Sequence, residues 1–83
     1  MTPSLLASLP LSEKITIVLT EGRLLDSRAI ENEFYVELYK LENCFVEFFY
    51  AAQTMIPKDI CLISVDAILE EYVNIFNCGI SIG

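Results

Sequence analysis

Acidic side chains are the groups in this 83-residue chain whose spacing comes closest to a chemical site. Histidine is absent, which removes the Ser–His and Cys–His nucleophile pairs and every imidazole ligand. Asp66 and Glu70 are spaced to share a cation on one side of a helix, and Glu31 and Glu33 would share one face of a strand. We interpret both pairs as solvated surface acids.

Glu37 and Glu47 are more unusual, because each stands among aromatic residues. A carboxylate in apolar surroundings has its charged form disfavoured, so a functional acid is one interpretation. The alternative is that Lys40 lies diagonally across from Glu47 and that the strand edges are wet, so that these charges discourage promiscuous strand pairing. We favour the second interpretation.

Three cysteines, Cys44, Cys61 and Cys78, cannot all pair within one chain, and their spacing matches no metal-ligand pattern. We expect reduced thiols that pack as small apolar side chains. The three glycines are isolated, so no glycine-rich phosphate loop is possible. The sequence therefore predicts a protein that is not an enzyme and uses no cofactor and no metal.

Twelve acidic residues stand against five basic ones, which gives a formal net charge of −7. This charge repels phosphate backbones and anionic membranes, so we expect neither nucleic-acid nor membrane binding. No apolar run approaches the roughly 20 residues that a membrane helix needs, and residues 1–10 do not resemble a signal peptide. We expect one domain over residues 1–83, located in the cytoplasm.

The element that holds most of the aromatic residues is a predicted hairpin with Glu42-Asn43 as its loop. Its strands would be residues 34–41 and 44–50, with Leu41 facing Cys44 and Glu37 facing Phe48. A rival pattern at helical spacing would instead make an all-α three-helix bundle: Ile30, Phe34, Leu38, Leu41, Phe45, Phe48 and Ala52. The aromatic and valine content favours strands.

Before the hairpin, Ser12 is placed to cap a helix that ends at Gly22 and buries Leu11, Ile15, Val18 and Leu19, although residues 14–20 also fit a strand. A strand over residues 23–30 and a turn at 31–33 follow. After the hairpin, the pattern predicts a turn over 54–59 and a strand over 60–63.

The last predicted helix is capped by Ser64 or Asp66 and ends at Asn77 or Gly79. Its apolar stripe consists of Val65, Leu69, Tyr72, Val73 and Phe76. Residues 80–83 would be poorly ordered unless docked. The predicted fold is α+β, a four-stranded antiparallel meander with an N-terminal and a C-terminal helix.

Three stretches, Leu19 to Arg28, Tyr35 to Leu41 and Phe45 to Tyr50, are similar to an "EG-x-LL" start, a "V-x-LY-x-L" strand and an "FVEVWY" strand. Through these motifs, residues 19–76 resemble a group of small uncharacterised bacterial proteins. The chain departs from that pattern at Phe48-Phe49 and over residues 51–58. The resemblance implies a helix, a β-meander and a closing helix, and it implies no activity.

Two functions fit these expectations. Both helices would cover one sheet face, so the other face would bind a second copy or a partner protein. One candidate face carries Val36, Leu38, Phe45 and Phe49. We choose the tyrosine-rich one as the interface: Tyr35, Tyr39, Val46, Phe48 and Tyr50.

The alternative function is an acidic inhibitor that binds a basic partner, like an antitoxin or immunity protein. Its carboxylates would be Glu31, Glu33, Glu42, Asp66, Glu70 and Glu71.

Overall fold

A computed structural model describes residues 2–72 of the chain. Its elements, in chain order, are α1 (Pro3–Ser8), α2 (Leu11–Glu21), β1 (Arg23–Ile30), β2 (Phe34–Lys40), β3 (Phe45–Ala51), β4 (Pro57–Ile63) and α3 (Val65–Glu71). The four strands form one open antiparallel sheet in the order β1-β2-β3-β4. The α+β prediction is confirmed, and the all-α alternative is wrong.

The N-terminal part contains two helices where the sequence predicted one. Thr2 caps α1, because its hydroxyl accepts a hydrogen bond from the Leu5 N–H at 3.2 Å, and Pro3 occupies the first turn, where its missing N–H costs nothing. The predicted Ser12 cap is wrong: Pro10 precedes the first turn of α2, and its carbonyl accepts the Glu13 and Lys14 N–H groups.

Helix α2 ends at Gly22, as predicted, and the choice of glycine has a steric reason. A Cβ atom at this position would lie 2.5 Å from the Val18 carbonyl oxygen and 3.2 Å from the Tyr39 ring. The chain therefore turns from α2 into β1 in a space that no side chain fits.

The predicted register of the central hairpin is confirmed. Glu37 pairs with Phe48, and the Leu41 N–H donates to the Cys44 carbonyl at 2.9 Å. The predicted turn between β1 and β2 also forms, closed by a 2.9 Å hydrogen bond from the Glu33 N–H to the Ile30 carbonyl. Glu31 and Asn32 adopt left-handed backbone angles there, with φ of 49° and 63°.

The last strand is longer than predicted, since β4 begins at Pro57 and not at Ile60. Proline is tolerated there because β4 is an edge strand and Pro57 is its first residue. A register shift between Phe49 and Tyr50 accommodates the extra length. The turn before β4 is closed by the Met55 N–H, which donates to the Ala51 carbonyl at 2.7 Å, with Met55 at a φ of 58°.

Helices lie on both faces of the sheet, which corrects the expectation that both would cover one face. On the first face, Leu6 of α1 and Val18 of α2 are buried among Tyr39, Val46 and Phe48. On the opposite face, α3 packs on the sheet through one core: Leu38, Phe45, Ile68 and Tyr72. The described residues thus form three layers, with the sheet in the middle.

Ser64 caps α3, as predicted, by accepting a hydrogen bond from the Ala67 N–H at 3.2 Å. The predicted stripe is wrong in part, because Val65 and Leu69 are each 45% exposed while Ile68 is fully buried. On α2, Leu19 was predicted to face the core, but it is 59% exposed. Predictions for Val73, Phe76, Asn77, Cys78, Gly79 and residues 80–83 lie outside the described residues.

Candidate binding surfaces

The five residues predicted as an interface share the sheet face that α1 and α2 cover. Val46 and Phe48 are 0% and 1% exposed, and Tyr39 is buried as well. Tyr35 and Tyr50 are half-buried, and their ring centroids lie 6.3 Å apart. A protein interface that uses Val46 and Phe48 would require α1 and α2 to leave the sheet, so only the two outer tyrosines are accessible on this face.

These outer tyrosines surround the carboxylate of Glu37, in a group that we call the Glu37 site: Tyr35, Glu37, Tyr39 and Tyr50. The Tyr39 hydroxyl donates to Glu37 Oε1 at 3.1 Å, and the Tyr50 hydroxyl lies beside the same carboxylate. Tyr50 also stacks on Phe48, with ring centroids 4.3 Å apart and ring planes 2° apart. The site is thus a half-buried carboxylate next to aromatic rings.

Burial and the nearby carboxylate both stabilise the neutral form of these tyrosines. Desolvation, followed by the charge and hydrogen bond of Glu37, raises the pKa of Tyr39 to about 12. The pKa of Tyr50 is raised for the same reasons, first by burial and then by its hydrogen bond to Glu37. Both phenols are therefore protonated at neutral pH, and the Tyr39 hydroxyl donates to Glu37.

Glu47 occupies the equivalent position on the opposite face, where it is 8% exposed. Its partner is Arg28 and not Lys40, which corrects the sequence interpretation. Arg28 Nη2 lies 3.0 Å from Glu47 Oε2, and the Tyr72 hydroxyl donates to the same oxygen at 2.5 Å. Lys40 lies over the Phe45 ring instead, 5.7 Å from its centroid.

Arg28 links the sheet to α3. Its guanidinium lies over the Tyr72 ring, 5.2 Å from the centroid, and its Nη1 lies 2.9 Å from Glu71 Oε2. Burial lowers the pKa of Arg28, but hydrogen bonds to Tyr72 and Glu47 outweigh burial and raise that pKa. Burial and the hydrogen bond to Glu47 also raise the pKa of Tyr72. Arg28 thus stays charged and Tyr72 stays protonated, the states in which both donate to Glu47 and hold α3 on the sheet.

An apolar surface lies on the same face as α3, at the far end of the hairpin. We call it the Phe34 surface, and it consists of Phe34, Phe49 and Cys61, with Met55 beside Phe34 at the end of the sheet. The Phe34 and Phe49 rings meet edge to face with centroids 6.3 Å apart, and both are half-buried. Met55 is 48% exposed and Cys61 is exposed. Lys58 and Asp59 stand at the rim beside Cys61.

The other sequence candidates are not brought together. Glu31 and Glu33 lie in the exposed turn after β1, and Asp66 and Glu70 lie exposed on α3. Among residues 2–72, no group of three potential ligands is placed to hold a metal ion, and no helix is long and apolar enough to cross a membrane. Cys44 and Cys61 are free, and burial raises the pKa of each thiol.

The sequence indicated that Glu37 and Glu47 are unusual acids, but the hydrogen-bond partners of their carboxylates were not predicted. The sheet register carries the missing signal, because Arg28 pairs with Val36 on one side of β2 while Glu47 pairs with Leu38 on the other. An arginine and a glutamate that flank the same strand on one face are within reach of each other. Tyr72 was placed on the correct stripe of α3, but its polar partner was not anticipated.

No family model, curated protein or solved structure matches this chain. The resemblance to small uncharacterised bacterial proteins therefore stays a prediction.

Proposed function

We propose that this chain is a non-enzymatic protein-interaction module that associates with a second copy of itself through the Phe34 surface. The observation that carries the proposal is the exposure of Met55 and Cys61 beside the half-buried rings of Phe34 and Phe49 at one end of the sheet. Helix α3 has seven residues and is about 10 Å long, so it covers the Leu38 end of this face and stops short of Phe34. Apolar surface of this kind is typical of protein contacts.

The charges at the rim favour a second copy as the occupant. Lys58 and Asp59 both line the edge of this surface, so it carries one charge of each sign. In a twofold-symmetric contact, Lys58 of each copy faces the acidic residue of the other, which makes the surface self-complementary. The rings of Phe34 and Phe49 would form the centre of this contact, and the charges would form its rim.

This proposal moves the self-association surface away from the tyrosine-rich face. The reason is the burial of Tyr39, Val46 and Phe48 beneath α1 and α2. The site of action that we propose is the cytoplasm, where Cys44 and Cys61 remain reduced. Their raised pKa values keep both thiols protonated and unreactive at neutral pH.

Light scattering coupled to size-exclusion chromatography tests self-association across protein concentration and at low and high salt. We expect a dimer that survives high salt, because its centre is apolar. Phe49→Ser should shift the protein to monomer, whereas Leu19→Ser, which removes an exposed leucine from α2, should leave the dimer intact. Circular dichroism would verify that both variants are folded. A wild-type monomer at every concentration would refute the proposal.

A second candidate function is capture of a basic partner protein. The observation in its favour is the Glu37 site, where a half-buried carboxylate has no cationic side chain within ion-pair distance among residues 2–72. The net charge of −7 would attract such a partner at long range. Loss of binding at high salt would distinguish this function from self-association.

A further inference from the structure

We propose that the Glu37 site binds a guanidinium group, supplied by an arginine side chain of a basic protein partner. The inference deepens the second candidate function and rests on it, but it is independent of self-association through the Phe34 surface. It comes from a comparison of two carboxylates, Glu37 and Glu47, that occupy similar positions on opposite faces of the same hairpin.

Glu47 shows what such a carboxylate binds in this molecule. It accepts one hydrogen bond from the Tyr72 hydroxyl and one from Arg28, and the Arg28 guanidinium lies over the Tyr72 ring. The carboxylate, the phenol and the guanidinium thus interact with one another, and the cation is bound by both an ion pair and a ring face.

At Glu37, the described residues supply a carboxylate and phenols but no guanidinium. Tyr39 donates to its carboxylate, Tyr50 lies beside that carboxylate, and the Tyr35 ring lies beside the Tyr50 ring. The neighbour of Glu37 on β1 is Ser27, which is uncharged. Among residues 2–72, no lysine or arginine nitrogen lies within 4.0 Å of the Glu37 carboxylate. The ion pairs within these residues are those of Arg28 with Glu47 and Glu71.

The shape of the site favours a planar cation. The Tyr50 ring is stacked on Phe48 through one face, and the half-buried Tyr35 and Tyr50 rings are tilted by 43° to each other. A guanidinium can stack on such a ring and donate two parallel hydrogen bonds to a carboxylate, whereas an ammonium is a strongly hydrated point charge. The Tyr39 hydroxyl occupies only part of the acceptor capacity of Glu37, which leaves lone pairs for the ligand.

Nitrogen–proton correlation spectra of the ¹⁵N-labelled protein test the site with Nα-acetyl-arginine amide as the probe. We expect saturable shifts at the amides of residues 35–38 and 47–50, with a dissociation constant on the order of 1 mM for a single side chain. The citrulline analogue, which has the same shape without the charge, should produce no saturable shift. The lysine analogue should bind more weakly than arginine.

Glu37→Gln should weaken binding of the arginine probe by about tenfold, because it removes a charge-assisted hydrogen bond and keeps the side-chain shape. Tyr35→Leu, which removes one half-buried ring, should weaken it by about threefold. Glu33→Gln removes an acid in the nearby exposed turn and should leave binding unchanged.

Equal shifts with arginine and citrulline, or wild-type affinity in Glu37→Gln, would overturn the proposal. Equal affinity for the lysine analogue would overturn the preference for guanidinium. Because the probe is a single amino acid, these results assess the site itself. If the probe binds but no basic protein is captured, the site would be supported and the basic-partner function would not.

Discussion

The network of Arg28, Glu47 and Tyr72 is the strongest polar interaction between α3 and the sheet. Two of its three hydrogen bonds converge on one carboxylate oxygen of a residue that is 8% exposed. Removal of the carboxylate would leave a half-buried guanidinium and a buried phenol without their acceptor. The loss is costly because the buried Tyr72 hydroxyl cannot replace this hydrogen bond with one to water, whereas Arg28 keeps its contacts with Tyr72 and Glu71.

We predict that Glu47→Ala lowers the free energy of unfolding by about 2–3 kcal/mol, the range for loss of hydrogen bonds to a charged group. Glu70→Ala, on the exposed side of α3, should change it by less than about 0.5 kcal/mol. Urea unfolding measures both variants. Equal stabilities for the two would show that the network contributes nothing to the attachment of α3.

The tyrosines of the Glu37 site predict a loss of stability at high pH. The pKa of Tyr39 in the folded protein is about 12, above its ordinary value of 10.0, so folding favours the protonated phenol. This contribution is fully present below pH 10 and disappears as the pH rises through about 12. Ultraviolet titration of phenolate formation should show tyrosines that ionise late in the native protein and normally in urea.

The variant Glu37→Gln should lower the pKa of Tyr39 and Tyr50, because it removes the negative charge that opposes phenolate formation. The decrease should be partial, since burial is the larger cause for both residues. An unchanged titration curve in this variant would show that the hydroxyl groups do not interact with Glu37.

At the scale of elements, the junction between α2 and β1 depends on close backbone approach. A Cβ at position 22 would collide with the Val18 carbonyl oxygen at 2.5 Å. We predict that Gly22→Ala costs about 1–3 kcal/mol, the range for overpacking of a tight site. Thr20→Ala, exposed on the same helix, should stay within about 0.5 kcal/mol of the wild type in thermal or urea unfolding.

The turn between β1 and β2 contains strain that glycine would relieve. Glu31 adopts a φ of 49°, where the side chain of an L-residue is crowded. Glu31→Gly should therefore raise the free energy of unfolding by about 0.5–1 kcal/mol. Glu33→Gly, at a residue without positive φ, should lower it because glycine gains more entropy on unfolding. The opposite order would contradict the assigned turn.

Local patterns predicted the hairpin better than the helices. The loop Glu42-Asn43 and the alternation beside it determine the register, so the pairing of Glu37 with Phe48 was predictable. Helix α1 was not predicted, because six residues give too short a pattern and its cap depends on Thr2 and Pro3 alone. The stripe of α3 was misjudged because packing on Leu38 and Phe45, and not periodicity, selects Ile68.

At the scale of the whole molecule, the arrangement of the layers could not be predicted. Helix periodicity indicates which side of a helix is apolar, but it does not indicate which sheet face the helix covers. We predicted the interface on the tyrosine-rich face because tyrosine is common at interfaces. In the molecule, α1 and α2 bury Val46 and Phe48 on that face, and α3 leaves Phe34 and Phe49 accessible on the other.

Intermolecular nuclear Overhauser effects would detect the proposed contact of two copies through the Phe34 surface. A mixture of isotope-labelled and unlabelled protein would be recorded with filters that retain only contacts between different copies. We predict contacts from the Phe34 and Phe49 rings to the same rings or to the Met55 methyl group of the other copy. Intermolecular contacts confined to other residues, or none at concentrations where a dimer forms, would contradict the account.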